Sequence, residues 1–75
     1  MLIFSQDRTS VINFNNIVSL EGNIEEHPQE LIATFGNGQG LSLGKFKDDD
    51  RLKEVLDEFR KAYFDGKPTF YVPKD

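Results

Sequence analysis

The chain lacks several residue types on which small proteins rely for stability or chemistry. It has no cysteine, no tryptophan and a single histidine, His27, among its 75 residues. The absence of cysteine excludes a disulfide framework and a thiolate metal site. The single histidine excludes His-pair zinc chemistry, and its position beside Pro28 in a polar segment predicts a solvated loop residue rather than a general base. The core has to be built from seven phenylalanines, two tyrosines and aliphatic residues.

Long hydrophobic runs and an excess of basic residues are also missing. The apolar start at positions 2–4 is too short for a signal peptide and has no basic leader, and no run approaches a membrane span. We therefore expect a cytoplasmic protein without membrane contact. Nine basic residues stand against 13 acidic ones, a formal net charge of −4. Because Lys and Arg neutralise phosphate in nucleic-acid complexes, direct binding to nucleic acid is not expected.

Short segments with a period of two fill positions 1–46 and predict an antiparallel sheet. Positions 30–35 give the clearest strand, with apolar residues on one face. The following Asn37-Gly38 predicts a hairpin with a type I′ turn, which needs positive φ at both residues. Turn formation also accounts for the glycines at 36, 38 and 40. A phosphate-binding loop does not, because no helix follows them.

The period changes to 3.6 after position 48 and predicts one amphipathic helix over 48–65. Asp48 is the expected N-cap, and Asp49 and Asp50 lie in the first turn, where the helix dipole favours anions. Gly66 is the expected C-terminal cap, and Pro68 prevents continuation. The apolar stripe consists of Leu52, Val55, Leu56, Phe59 and Tyr63.

No catalytic or metal-binding signature is present. The acidic run 48–50 does not fit a calcium loop, because that loop needs a Gly at its sixth position and a Glu at its twelfth, where this chain has Lys53 and Phe59. No serine lies in a strand-Ser-helix elbow. We therefore predict no catalytic residue, no cofactor and no metal, and a protein that is not an enzyme.

Ser5-Gln6-Asp7 and three later segments resemble the small single-domain proteins of Gram-positive bacteria and their prophages. In that family a short apolar strand leads to Ser/Thr-Gln-Asp, followed by an Asn-Ile segment and, later, a closing strand and a final helix. The matching segments here are 12–17, 43–46 and 51–59. The resemblance implies a cytoplasmic, prophage-borne domain but no particular activity. The chain departs from it over 21–30 and from Phe64 onward.

These patterns together predict one α+β domain over 1–75. A four- or five-stranded antiparallel meander over 1–46 packs against the helix at 48–65. The sheet is expected to be curled, and a half-barrel is one form that the curling could take. The β-prone tail at 66–75 has three alternatives: it adds an edge strand, lies over the helix, or reaches a partner.

Three aromatic residues near the end of the chain are the predicted interface, namely Phe64, Phe70 and Tyr71. Either they form an exposed apolar patch, which would mark an interface, or the tail folds back and they cover the edge of the core. The leading hypothesis is a non-enzymatic interaction module that forms a homodimer or docks on another protein. The alternatives are a small hydrolase and an acidic regulator of nucleic-acid transactions. Such a regulator would mimic DNA or bind a DNA-binding protein through Glu25-Glu26 and 48–50.

Overall fold

The computed structural model describes residues 1–23 and 29–75 as six strands, a single 3-10 turn and one α-helix. The elements are β1 (Leu2–Phe4), β2 (Val11–Asn13), the 3-10 turn (Phe14–Asn16), β3 (Ile17–Asn23), β4 (Gln29–Phe35), β5 (Gly40–Phe46), α1 (Asp49–Phe64) and β6 (Thr69–Tyr71). Positions 24–28, which include His27 and the acidic pair Glu25-Glu26, lie outside the described residues. No helix in the described ranges is long and apolar enough to cross a membrane.

The predicted α+β class with a C-terminal helix is confirmed, but the predicted single meander sheet is wrong. Six strands, rather than four or five, form two three-stranded sheets with the orders β2-β1-β6 and β3-β4-β5. Every pairing is antiparallel except that of β6, which lies parallel to β1, and the described strands do not close a barrel. Hairpin signals reveal only neighbours in sequence. A parallel pair between the two ends of the chain needs a long crossover and leaves no local signal.

The β4–β5 hairpin is also built differently from the prediction. Gly38 has a φ of +87°, whereas Asn37 is not in the left-handed region. The Gly38 N–H donates to the Phe35 carbonyl at 2.9 Å, and the Phe35 N–H donates to the Gln39 carbonyl at 2.8 Å. These bonds describe a three-residue loop in which a turn centred on Gly36-Asn37 is followed by one left-handed glycine. A three-residue loop needs positive φ only at its last residue.

Helix α1 begins and ends where its local signals predict. The Asp48 carboxylate accepts a hydrogen bond from the Arg51 N–H at 2.8 Å, which confirms it as the N-cap. At the other end Gly66 has a φ of +71°. Its N–H donates to the Tyr63 carbonyl, and the Lys67 N–H donates to the Ala62 carbonyl. This pair of bonds is the Schellman motif, which needs a residue that tolerates the left-handed region.

The core lies between α1 and the inner faces of both sheets. Both sheets, the helix and the tail contribute to it, the tail through Phe70 and Val72. The tail therefore adds an edge strand, β6, beside β1. Its Phe70 and Val72 side chains are buried in the core. The buried apolar residues are Ile3, Leu31, Ala33, Leu43, Phe46, Leu52, Val55, Phe59, Ala62, Phe70 and Val72.

Candidate interaction surface

An apolar groove of about 490 Å³ runs between β3 and the end of α1. The helix stripe explains its position: Val55 and Phe59 face the core, whereas Leu56 and Tyr63 lie further round the helix and form one wall. β3 forms the opposite wall. The lining residues are Phe14, Ile17, Val18, Ser19, Leu20, Leu56, Phe59, Arg60, Tyr63 and Phe64.

Aromatic contacts hold the end of the groove nearest the 3-10 turn. The ring of Phe14 lies 5.1 Å from that of Phe59 and 5.3 Å from that of Tyr63. The turn itself is capped by Asn13, whose side chain accepts a hydrogen bond from the Asn15 N–H at 3.0 Å. Tilted ring pairs at these centroid distances are favourable. The 3-10 turn therefore holds Phe14 against the helix, where its ring forms part of the groove lining.

Three large apolar side chains at the groove are more than half exposed. Val18 is 70 % exposed, Tyr63 51 % and Phe64 77 %. The rings of Tyr63 and Phe64 are 5.8 Å apart and meet edge to face. We call these three residues together with the groove the groove surface. Scattered exposed apolar residues are normal, but contiguous ones beside an apolar hollow are typical of protein-binding sites.

The groove surface carries little charge. Among the described lining residues Arg60 is the one ionised side chain, and its guanidinium contacts the Asp57 carboxylate at 3.0 Å. Both partners are largely exposed, so the pair contributes little to stability. Ser19 is the polar lining residue on the strand, and its hydroxyl donates to Glu21 at 3.3 Å. The arrangement is suited to apolar contact rather than to proton transfer.

The structure separates the three aromatic residues, for which one exposed patch and a cover over the core edge were the two alternatives. Phe64 lies at the groove surface. Phe70 is 9 % exposed and packs edge to face on Phe59 with centroids 5.4 Å apart. Tyr71 is 52 % exposed, and its ring stacks on that of Phe4 with centroids 4.5 Å apart. This pair lies on the outer face of the sheet β2-β1-β6. A single exposed patch of all three is therefore wrong, because consecutive strand residues point to opposite faces.

No family model, curated protein or solved structure matches the chain.

Sequence reasoning missed the strand wall of the groove. Ile17 and Val18 are two consecutive apolar residues at the start of a strand, next to a register shift between Ile17 and Ser19. In an alternating strand one of two such neighbours must face outward, and that was the available signal. Which one faces outward, and what lies beside it, depends on the non-local position of α1.

The acidic clusters behind the nucleic-acid hypothesis cannot be compared, because Glu25-Glu26 lie outside the described residues. At the start of α1, Asp48 caps the helix and Asp49 accepts a hydrogen bond from the Gln29 amide at 2.8 Å. Within 1–23 and 29–75, no group of three or more His, Asp or Glu side chains is placed to hold a metal ion. Regulation by acidic mimicry stays a prediction.

A second, more polar hollow of about 270 Å³ lies between the β1–β2 turn and β5. Gln6 and Asp7 contribute its side chains from the turn, and Ser42 to Lys45 form the other side. Hydrogen bonds from the Thr9 N–H, the Thr9 hydroxyl and the Ser5 hydroxyl lower the pKa of Asp7 to about 2. Both functional groups of the Gln6 amide are likewise engaged. The Gln6 and Asp7 side chains therefore have a structural role in this hollow.

Proposed function

We propose that this chain is a non-enzymatic protein-interaction module that binds its partner through the groove surface. The observation that carries the proposal is the exposure of Phe64, Tyr63 and Val18 beside an apolar groove in a chain with a small core. Covering a fully exposed Val or Phe side chain contributes about 1.5–3 kcal/mol. A chain this small gains little by leaving such residues in water.

The partner is a protein: either a second copy of this chain or a different protein with an apolar segment. An apolar groove with few charges and strongly exposed aromatics matches the core of a protein interface, where aromatic residues are enriched and charged residues depleted. The resemblance to small prophage-borne proteins of Gram-positive bacteria fits this role, since no chemistry is implied by it. A cytoplasmic site of action belongs to the same proposal.

The test compares two valines that are both exposed in strands but lie on different sheets. Val18 is 70 % exposed at the groove, and Val11 is 52 % exposed on β2. A neutral naphthalene dye serves as the apolar probe, read by fluorescence. We expect Val18→Lys to weaken dye binding by about tenfold, equivalent to about 1.4 kcal/mol, because it places an ammonium group at the groove. Val11→Lys, with the same change of charge, should bind the dye like the parent chain.

Two results would count against the groove as the interaction surface. Absence of dye binding to the parent chain would mean that the groove does not accept apolar groups. A loss of binding in Val11→Lys with none in Val18→Lys would move the surface to the outer face of the sheet that contains β1. Denaturant unfolding of both variants verifies that each remains folded.

A further inference from the structure

We infer that the occupant of the groove is a second copy of this chain, arranged about a two-fold axis so that Phe64 of each copy enters the groove of the other. This inference rests on the proposed function and names its partner. Four observations carry it: a protruding ring and a hollow on one surface, their relative sizes, the charges around them and the exposed apolar area.

A protruding ring and a hollow that can receive it occur together on the groove surface. Phe64 is 77 % exposed at the end of α1, and it also borders the groove. A two-fold contact uses the same surface on both copies, so each insertion is repeated by symmetry. A surface with only a hollow would need a partner that supplies the protruding group. This one supplies both.

The groove is large enough for the insertion. A closed cavity of about 150 Å³ admits a benzene molecule, and the groove measures about 490 Å³. Its walls are the rings of Phe14 and Tyr63 and the aliphatic side chains of Ile17 and Leu56. Aromatic and aliphatic walls are favourable neighbours for an entering phenyl ring.

The charges near the groove fit a copy of the chain itself better than an oppositely charged partner. Arg60 and Asp57 place one charge of each sign beside the groove, so a two-fold copy can set each charge against its opposite. The acidic start of α1 is remote: Asp49 and Phe64 are the two ends of a 16-residue helix, about 22 Å apart at the α-helical rise. That separation exceeds the Debye length of about 8 Å at physiological salt. The acidic start of α1 therefore does not oppose the contact.

The exposed apolar area suits a weak dimer. A large aromatic side chain presents about 150–250 Å², so Tyr63 and Phe64, at 51 % and 77 % exposure, offer about 250 Å² per copy. Val18 and the groove walls add to this. A standard interface buries about 800 Å² per partner, about a sixth of the 4803 Å² surface of this chain. The contact is therefore smaller than a standard interface, and its population should depend on concentration.

Insertion of side chains is favoured here over pairing of edge strands. Within the described residues β3 pairs with β4 alone, so its outer edge is open. The register shift between Ile17 and Ser19 lies at the groove end of this strand. Irregularities of this kind disturb the regular ladder that a second strand would need.

The oligomeric state tests the inference, with two exposed aromatic residues as a matched pair. Light scattering is measured over about a hundredfold range of concentration, since a weak dimer dissociates on dilution. We expect the apparent mass of the parent chain to rise with concentration from 8.6 kDa toward twice that value. Phe64→Ser should remain monomeric throughout. Tyr71→Ser removes a ring that is 52 % exposed on the other sheet and should dimerise like the parent chain.

A spin label locates the contact, since the chain has no cysteine of its own. The spin label is attached to Asp65→Cys, next to Phe64, on a copy without ¹⁵N, and this copy is mixed with ¹⁵N-enriched parent chain. We expect the spin label to broaden the amide signals of residues 17–20 in the ¹⁵N-enriched parent chain. Broadening confined to β6 would overturn the inference.

The remaining outcomes separate this inference from the proposed function. A parent chain that stays monomeric at every concentration overturns the dimer. If the neutral dye still binds the groove in a Val18-dependent manner, the interaction module stands with a different protein as partner. If neither association nor dye binding occurs, both proposals fail. Growth beyond a dimer would overturn the two-fold arrangement, because it requires two different surfaces.

Discussion

At the scale of single residues, the β1–β2 turn depends on one carboxylate. Asp7 accepts hydrogen bonds from the Thr9 N–H at 3.0 Å, the Thr9 hydroxyl at 2.7 Å and the Ser5 hydroxyl at 2.8 Å. Arg8, between Asp7 and Thr9, has a φ of +63°, which is uncommon for a residue other than Gly, Asn or Asp. The bonds to Asp7 close the turn around this strained residue. The network is local, but its geometry is not visible in the residue types.

Gln6 has a non-local role that the sequence does not indicate. Its amide oxygen accepts from the Lys45 N–H at 2.9 Å, and its amide nitrogen donates to the carbonyls of Lys45 and Pro73 at 3.0 Å each. The side chain thus behaves like a peptide group added to the edge of β5, and it joins that strand to the tail. The Ser5-Gln6-Asp7 motif, one of the four segments that carry the resemblance, is explained here by structural bonds.

The acid sensitivity of folding should change in Asp7→Asn. The pKa of this carboxyl is lowered from 3.8 to about 2, mainly by the Thr9 N–H. A group whose folded pKa is depressed contributes stability above its unfolded pKa and loses it as pH falls through the folded value. The parent chain should therefore lose urea stability between about pH 4 and pH 2, and Asp7→Asn should lose less over the same range.

The control for this substitution is Asp50→Asn, which removes the same charge from an exposed position of α1. It should keep the steep acid dependence of the parent chain. Equal pH profiles for the parent chain and Asp7→Asn would mean that the turn carboxylate does not contribute to acid stability.

At the scale of elements, the formation of α1 depends mainly on local interactions, whereas its packing on the sheet depends on residues distant in the sequence. The N-cap and the Schellman motif involve residues close in sequence. The packing of α1 on β3 requires Gly22, because a Cβ there would lie 2.9 Å from the Cγ atom of Leu52 and closer still to one of its methyl groups. Leu52 is 1 % exposed and has little room to move. The glycine at this position permits close approach of strand and helix.

Gly22→Ala should therefore destabilise the fold by about 1–3 kcal/mol, the usual cost of overpacking a close-packed site. The measurement is denaturant unfolding monitored by circular dichroism. Gly36→Ala is the matched control, since no atom lies within 4 Å of a Cβ at that turn position. It should be neutral or slightly stabilising, because alanine lowers the entropy of the unfolded chain. A similar loss in both variants would rule out the helix contact as the cause.

At the scale of the whole molecule, the tail holds the two ends of the chain together. β6 pairs with β1 in parallel, and Arg8 donates to the Val72 carbonyl at 2.8 Å. Beyond it, Arg51 binds the Asp75 carboxylate through two nitrogens, with a shortest distance of 2.7 Å, and this hydrogen bonding lowers the pKa of Asp75. The last residues are thus anchored both to the first strand and to the start of the helix.

Phe70→Ala should cost about 3–5 kcal/mol, as large-to-small substitutions of buried aromatics do. A free energy of unfolding of about 0.05–0.15 kcal/mol per residue implies a total of about 4–11 kcal/mol for this chain. The substitution would therefore remove a large part of that free energy. Tyr71→Ala, at a half-exposed neighbouring position, should cost less, about 0.5–1.5 kcal/mol from the lost stacking on Phe4. Thermal unfolding of the two variants measures the difference. Comparable losses would contradict the assignment of Phe70 to the core.

Features set by short-range forces were predictable from the residues alone. The α+β class, the strand at positions 30–35, the bounds of α1 and its caps follow from periodicity and from residues within one or two turns of each other. The exposure of Phe64 also follows, since this residue lies one step beyond the apolar stripe of its helix. These signals survive in the sequence because each interaction joins residues that are close along the chain.

Tertiary structure alone decided the rest. β6 pairs with β1 across almost the whole chain, which buries Phe70 and leaves Tyr71 outside. The groove exists because α1 meets β3 at Gly22 and leaves Val18 and Phe64 uncovered. Both results depend on which distant surfaces meet, and a single strand or helix pattern carries no record of its non-local neighbours. The residues determined which elements form, and their packing determined which apolar side chains were left in water.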